Sequence, residues 1–282
     1  MAGRGHARVA EGRHLEDVLP LLGRRVRMMG MAVLSAQALT KSYGAKTVLH
    51  DVSLTLPAGR IHGVLGPNGS GKTTALHIVA GLVAPSRGGV RIAGVDVGDK
   101  RSRRELGFAP DDLPLPGVLT GREYLRFHDA LRGRDDEARA LALAEALGID
   151  ADLPSAVAEY SHGMQRKLQL IAAVMHEPSL LLLDEPFRGL DPDAAAAVRR
   201  LLLAYARGGR AVLVATHDMI RAERDCDEVT VIDRGRVVAT GSPARLIAAA
   251  PDCRSLEDLF LHVTGRRDDA ERRAERIASI FT

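Results

Sequence analysis

Gly66-Pro67-Asn68-Gly69-Ser70-Gly71-Lys72-Thr73 stands between a strand-like run, Arg60 to Leu65, and a helix-like run, Thr74 to Ala80. Strand, glycine-rich turn and helix in that order make a cradle for a polyphosphate. The glycines let backbone N–H groups wrap the phosphates without a Cβ in the way, and the helix points the positive end of its dipole at them. Lys72 is placed to reach the β- and γ-phosphates, and the Thr73 hydroxyl is a hard ligand suited to Mg²⁺. The expected nucleotide-binding set is therefore Gly66, Pro67, Asn68, Gly69, Ser70, Gly71, Lys72, Thr73 and Thr74. The stretch implies an α/β fold that binds ATP or GTP.

A second motif narrows the field. Tyr160-Ser161-His162-Gly163-Met164-Gln165 precedes a helical stretch from Arg166 to His176, then four leucines, Leu180 to Leu183, and Asp184-Glu185-Pro186. Consecutive leucines ending in two acids read as a buried parallel strand that delivers carboxylates at its C-terminal edge, where ligands bind in open α/β sheets. Gly189-Leu190-Asp191 follows, and His217 comes after a strand-like run, Ala211 to Ala215.

On these residues the chain resembles the ATP-binding cassette (ABC) family, with Tyr160 to Met164 at its signature, Asp184 closing the Walker B strand, Gly189 to Asp191 as the D-loop and His217 as the switch histidine. The resemblance implies an α/β P-loop NTPase cassette with a mixed β-core, an antiparallel β-subdomain and a helical subdomain, here about residues 110–175, within a domain spanning 32–265. Eighty-nine residues separate Lys72 from Ser161 and 33 separate Asp184 from His217, which leaves no room for the long coiled coil of chromosome-maintenance ATPases. Tyr43 lies where the family places an aromatic residue that stacks on adenine.

Carried over residue by residue, the resemblance makes Glu185 the base that activates the attacking water, Asp184 a holder of the Mg²⁺ shell, and His217 a contact to the γ-phosphate. Ser161 and Gly163 would face the ATP of a second cassette in a head-to-tail dimer. Asp111, in Phe108-Ala109-Pro110-Asp111, falls at the position of the family's Q-loop glutamine; it can offer oxygen to Mg²⁺ but adds a negative charge and cannot donate a hydrogen bond. His162 stands for a signature glycine, and Phe187 for a hydroxyl residue after the Walker B proline. Together with Ser255 to Phe260 near the C-terminus, the signature resembles that of ATP-binding subunits of ABC-2-type exporters. ATP and Mg²⁺ are then the expected ligands, and a separate transmembrane permease the expected partner. The remaining alternative is a soluble ABC ATPase acting on ribosomes or cofactor assembly.

Composition fits this reading. The net charge of +3 resides in residues 1–31, where six arginines meet three acids, leaving 33 basic and 33 acidic residues in the rest. A balanced body with 3% aromatic residues offers no electrostatic footprint for nucleic acid. Cys226 and Cys253 lack metal-ligand spacing and read as reduced thiols. No apolar run has the length of a membrane span, so the expected location is the cytoplasmic face of a membrane, peripheral through the permease. Residues 1–31 are expected to be a basic extension, disordered or a start-site artefact ahead of Met28, Met29 or Met31; residues 266–282 form a charged tail.

Elements follow the same plan. Val33 to Leu39 and Val48 to Leu56 suit antiparallel strands, and Pro85 to Asp96 a returning hairpin. Thr120-Gly121-Arg122-Glu123 is a capping box opening a helix through about Leu131; a second helix, Glu137 to Leu147, is stopped by Gly148. Glu228 to Ile232 and Arg236 to Thr240 read as closing strands and Pro243 to Ala249 as a helix.

Overall fold

The computed structural model describes residues 32–111 and 114–281; the basic extension at residues 1–31 lies outside them. The described strands are β1 (Ala32–Tyr43), β2 (Lys46–Pro57), β3 (Ile61–Leu65), β4 (Arg87–Ile92), β5 (Val95–Asp96), β6 (Leu106–Ala109), β7 (Leu180–Asp184), β8 (Ala211–Thr216), β9 (Glu228–Asp233) and β10 (Arg236–Gly241). They divide into an antiparallel sheet, β2-β1-β4-β5, and a six-stranded sheet, β10-β9-β3-β8-β7-β6, in which β10 alone runs antiparallel to its neighbour.

Sequence pattern explains the division. Every residue of β3, β7 and β8 is buried, as central parallel strands covered on both faces require. The edge strand β10 instead alternates exposed and half-buried positions. Helix α1 (Lys72–Val79) lies between the two sheets: its Leu76, Ile78 and Val79 share a core with Leu34, Leu39 and Leu49 of the antiparallel sheet and with Leu180, Leu182 and Leu213.

The opposite face of the six-stranded sheet is covered by α2 (Gly121–Arg132), α3 (Glu137–Ala146), α4 (His162–Val174) and α5 (Pro192–Arg207), with Leu125, Leu143, Leu168, Ile171 and Tyr205 in one core with Leu181, Leu183 and Val214. The caps set these helices where the sequence signals them. Thr120 Oγ1 accepts from Glu123 N while Glu123 Oε2 accepts from Thr120 N at 2.8 Å, the reciprocal pair anticipated for α2. Asp191 caps α5, accepting from Ala194 N at 2.7 Å, with Pro192 in the first turn. Short helices α6 (Met219–Asp225), α7 (Pro243–Ala249) and α8 (Leu256–Val263) close a smaller core around Val229, Val231 and Leu259, and α9 (Arg267–Ala278) follows as the mixed-charge helix.

Candidate nucleotide site

Four parallel strands end on one edge of the sheet. Leu65 is in register with Thr216, Ala215 with Asp184, and Leu183 with Ala109. The residues that follow these ends, or close them, are Gly66, His217, Asp184 with Glu185, and Asp111, so sheet register alone assembles most of the expected site.

The P-loop is held from behind by backbone. Gly66 has φ +156°, and a Cβ there would lie 2.2 Å from Ile232 O and 2.6 Å from Ser70 Oγ. Gly235, in the turn between β9 and β10, donates its N–H to Ser70 O at 2.8 Å and accepts from His50 N at 2.8 Å; a Cβ on it would meet Val48 O at 2.3 Å. That turn thus bolts the loop to β2. Lys72 is buried, and its ammonium donates to Gly66 O at 2.7 Å and Pro67 O at 3.1 Å across the cradle. Burial lowers its pKa, while Glu185 and Asp184 oppose the shift.

The cradle fits a polyphosphate. Gly71 at the start of α1 supplies no side-chain cap, which leaves the first-turn N–H groups to an outside acceptor. The buried Ser70 hydroxyl has no partner, and such an orphan costs about 1–3 kcal/mol unless something satisfies it.

Beside it lie the acids. Thr73 Oγ1 donates to Asp184 Oδ2 at 3.4 Å. Burial raises the Asp184 pKa, and the charges of Asp111 and Glu185 raise it further, against Lys72 and Thr73. Glu185 sits at φ +46°, directly after the strand, with Oε2 accepting from Thr216 Oγ1 at 2.9 Å and Oε1 from His217 N at 2.9 Å; His217 Nδ1 lies 2.6 Å from the same Oε1. Glu185 and His217 are therefore in contact, and Thr216, in the same Ala-Thr-His-Asp run, is a third member that no motif marks. A hydroxyl and a carboxylate in contact are hard oxygen donors of the kind Mg²⁺ takes alongside phosphate oxygens. No group of three or more His, Cys, Asp or Glu that could hold a metal alone is found among the described residues.

Asp111 is differently placed. Its Oδ1 accepts from Arg166 Nη2 at 2.5 Å and its Oδ2 from Arg188 Nη1 at 2.6 Å, so both oxygens are engaged by arginines. Arg166 also donates to the Pro110 and Asp111 carbonyls at 2.7 and 2.9 Å. Neither arginine belongs to a motif in the sequence. Asp111, Pro114, His162, Arg166, Arg188 and Gly189 line a cavity of about 570 Å³. Ser161 caps α4, its Oγ accepting from Met164 N at 3.2 Å, and Gly163 follows in the first turn. His162 is exposed and its φ is not positive, so the signature helix starts without the glycine it lacks. Phe187 packs partly against the core with Arg221 4.9 Å from its ring centroid. Tyr43 ends β1 opposite Lys46, 53% exposed, with Lys41 over its ring. It is outside the hydrogen-bonded group, on the hairpin whose second strand passes Gly71 at Val48 and Leu49.

Comparison with known proteins agrees with this geometry. The family described as ABC transporter matches residues 49–188. The Nod factor export ATP-binding protein I of Paraburkholderia xenovorans (strain LB400) is 34% identical over 253 residues, covering 88% of this chain and 83% of that protein. This chain belongs to the ABC transporter family. The linearmycin resistance ATP-binding protein LnrL of Bacillus subtilis (strain 168) is 31% identical over 76% of this chain and 70% of its own length. The daunorubicin resistance ATP-binding protein DrrA2 of Streptomyces coeruleorubidus is 38% identical over 77% and 68%. Among solved structures, an ATP-binding subunit of an ABC transporter superposes with a TM-score of 0.78 at 32% identity, covering 82% of this chain and 99% of that one. A nucleotide-free ATP-binding cassette, at 21% identity and a TM-score of 0.69, supports the fold. The chain is an ATP-binding subunit and ATPase of the exporter type, and these relatives do not favour the ribosome- or assembly-acting alternative.

Proposed function

We propose that the chain hydrolyses MgATP with Glu185 as base and passes the resulting closure to a separate membrane permease. The observation that carries the mechanism is the Glu185 carboxylate, fixed by Thr216 and His217 at the strand edge that also bears the P-loop and the Thr73–Asp184 pair. A carboxylate so oriented is placed to align water and take its proton, while His217, shared with Oε1, steadies it and reaches toward the γ-phosphate. Thr73 and Asp184 would hold Mg²⁺, which supplies positive charge to the β- and γ-phosphate oxygens. Lys72 exchanges its carbonyl partners for phosphate oxygens, and the first-turn N–H groups of α1 complete the cradle.

Two further parts of the reading concern assembly. Ser161 and Gly163 present the N-terminus of α4 to the ATP of a second cassette, so two cassettes close around two nucleotides. The apolar loop residues Leu115 and Pro116, between Asp111 and Val118, would border a groove for a short cytoplasmic helix of the permease, which would hold the chain peripherally at the cytoplasmic face; no described helix is long and apolar enough to cross a membrane. The relatives' names, Nod factor export and linearmycin and daunorubicin resistance, support export as the direction.

The test is Glu185→Gln. The variant is expected to bind MgATP, to lose at least about a hundredfold in turnover, and to elute as an ATP-dependent dimer on gel filtration. Turnover near the wild-type rate would remove Glu185 from its role.

A further inference from the structure

The nucleotide edge lies at one end of β6 and α4. At the other end a second cavity, of about 390 Å³, opens between the 3₁₀ turn Lys100–Glu105, the end of α2 and the residues that follow α4. The length of α4, about 20 Å, separates it from the Ser161 cap. Its lining carries Lys100, Arg103, Arg104, Arg132 and Arg134, five cations on one concavity.

The carboxylates nearest to them have other partners as well. Arg134 pairs with Asp136 at 2.6 Å, but Asp136 is shared with Arg139. Glu105 accepts from Ser179, and Glu177 from Arg210 and Arg139. Arg132 donates to its own helix, at His128 O and Nδ1, with the charges of Asp129 and Asp136 acting on it. Among the described residues, no carboxylate forms an ion pair with Lys100, Arg103, Arg104 or Arg132. Lys100, Arg103, Arg104 and Arg134 are exposed and Arg132 half-buried, so like charges line one open concavity.

The second observation is His176, which lines the same cavity and is 3% exposed. Its Nε2 lies 3.1 Å from Leu106 O, which fixes the ring with that nitrogen as donor, and its buried Nδ1 has no partner. With the ring neutral, Nδ1 is a buried acceptor without a partner; it can serve an anion only as Nδ1–H, once the ring has taken a proton.

We propose that this cavity binds a phosphoryl-bearing anion, with Lys100, Arg103, Arg104 and Arg132 contributing charge-assisted hydrogen bonds and His176 Nδ1–H the buried donor. Several cations around one hollow match a multiply charged phosphate better than a single carboxylate. The site is independent of the P-loop and of the mechanism proposed for it. Burial, with Arg132 and Arg134 facing it and Asp136 opposing them, holds His176 at about 4, so the ring is neutral until a bound anion draws a proton onto Nδ1. Binding therefore takes up a proton, and affinity rises as pH falls.

The experiment uses the full chain with its P-loop saturated by ADP, so that added phosphate cannot report on that loop. Pyrophosphate is titrated calorimetrically at about pH 6 and about pH 8, where histidine titration is read, into wild type, the double variant Arg103→Gln/Arg104→Gln, and His176→Gln. Saturable binding is expected in wild type, at least about tenfold weaker in the double variant, with thermal unfolding and ATPase rate unchanged. His176→Gln should flatten the pH dependence. Co-sedimentation with phosphatidylcholine vesicles, with and without phosphatidylglycerol, identifies the source: binding of free pyrophosphate marks a soluble phosphate, and binding solely to anionic vesicles marks a lipid headgroup. Equal affinity in wild type and the double variant, no binding to either probe, or binding of a polyglutamate peptide in place of both would overturn the proposal, the last in favour of a protein partner.

Discussion

The P-loop and the Asp111 loop reach the same cluster of acids, and they are held by different forces. The P-loop is positioned by backbone: Gly235 bonds Ser70 O, and Gly66 approaches Ile232 O too closely for any Cβ. Asp111 is positioned by side chains, through two arginines that come from α4 and from the turn after β7. Backbone fixation tolerates almost no change of residue type and so leaves a motif. Side-chain fixation needs only complementary charge, which many sequences can supply.

The contrast can be broken most forcefully at Gly66. Gly66→Ala places a methyl group against Ile232 O and is expected to cost about 2–3 kcal/mol of stability and to abolish binding of a fluorescent ATP analogue. Retained affinity would mean that the loop can yield, and that backbone does not fix it. Lys72→Ala is the next largest change: it leaves the loop intact but removes the cation that the phosphates replace around, so affinity for ATP should fall by at least about tenfold with little loss of thermal stability. If affinity and melting temperature fall together, Lys72 is a structural tie.

Asp111→Asn probes the other side of the comparison. Arg166 is 8% exposed and would lose its carboxylate, at a cost of about 1–3 kcal/mol. Arg188, whose side chain is 62% exposed, should lose under about 1 kcal/mol when changed to Ala. If Asp111 bears on the metal, the asparagine variant also shifts the Mg²⁺ dependence of hydrolysis and its stimulation by the permease. A variant unchanged in stability and in both responses leaves Asp111 a loop residue. The smallest effect is expected at Tyr43, where Tyr43→Ala should raise the KM for ATP by a few fold and Tyr43→Phe should not, because stacking uses the ring face. Equal KM values in all three would detach Tyr43 from the nucleotide.

What the sequence revealed follows the same line. The P-loop, the Walker B strand and the α2 capping box were legible because each is dictated by local backbone geometry or periodicity, down to Thr120 and Glu123. Helix α1 begins at Lys72 rather than Thr74, and α4 at His162 rather than Arg166, since helical dihedrals start inside the motif while apolar periodicity appears a turn later. Arg166, Arg188 and Thr216 were not legible as site residues. Arg166 and Arg188 lie 55 and 77 residues from Asp111 in the chain, and nothing local marks a partner at that separation. Nothing local marks the Lys100 to Arg104 run; only the fold sets Arg132 and His176 beside it.

The bolt formed by Gly235 has a consequence for synthesis. Ser70 and His50 emerge from the ribosome long before residue 235, yet both hydrogen bonds that brace the phosphate loop against β2 end on that one glycine. A nascent chain halted before the β9–β10 turn carries the complete nucleotide motif without its brace. ATP can therefore act as a folding ligand for this protein only at the close of translation, and truncated products bearing an intact Gly66 to Thr73 stretch should fail to be rescued by it.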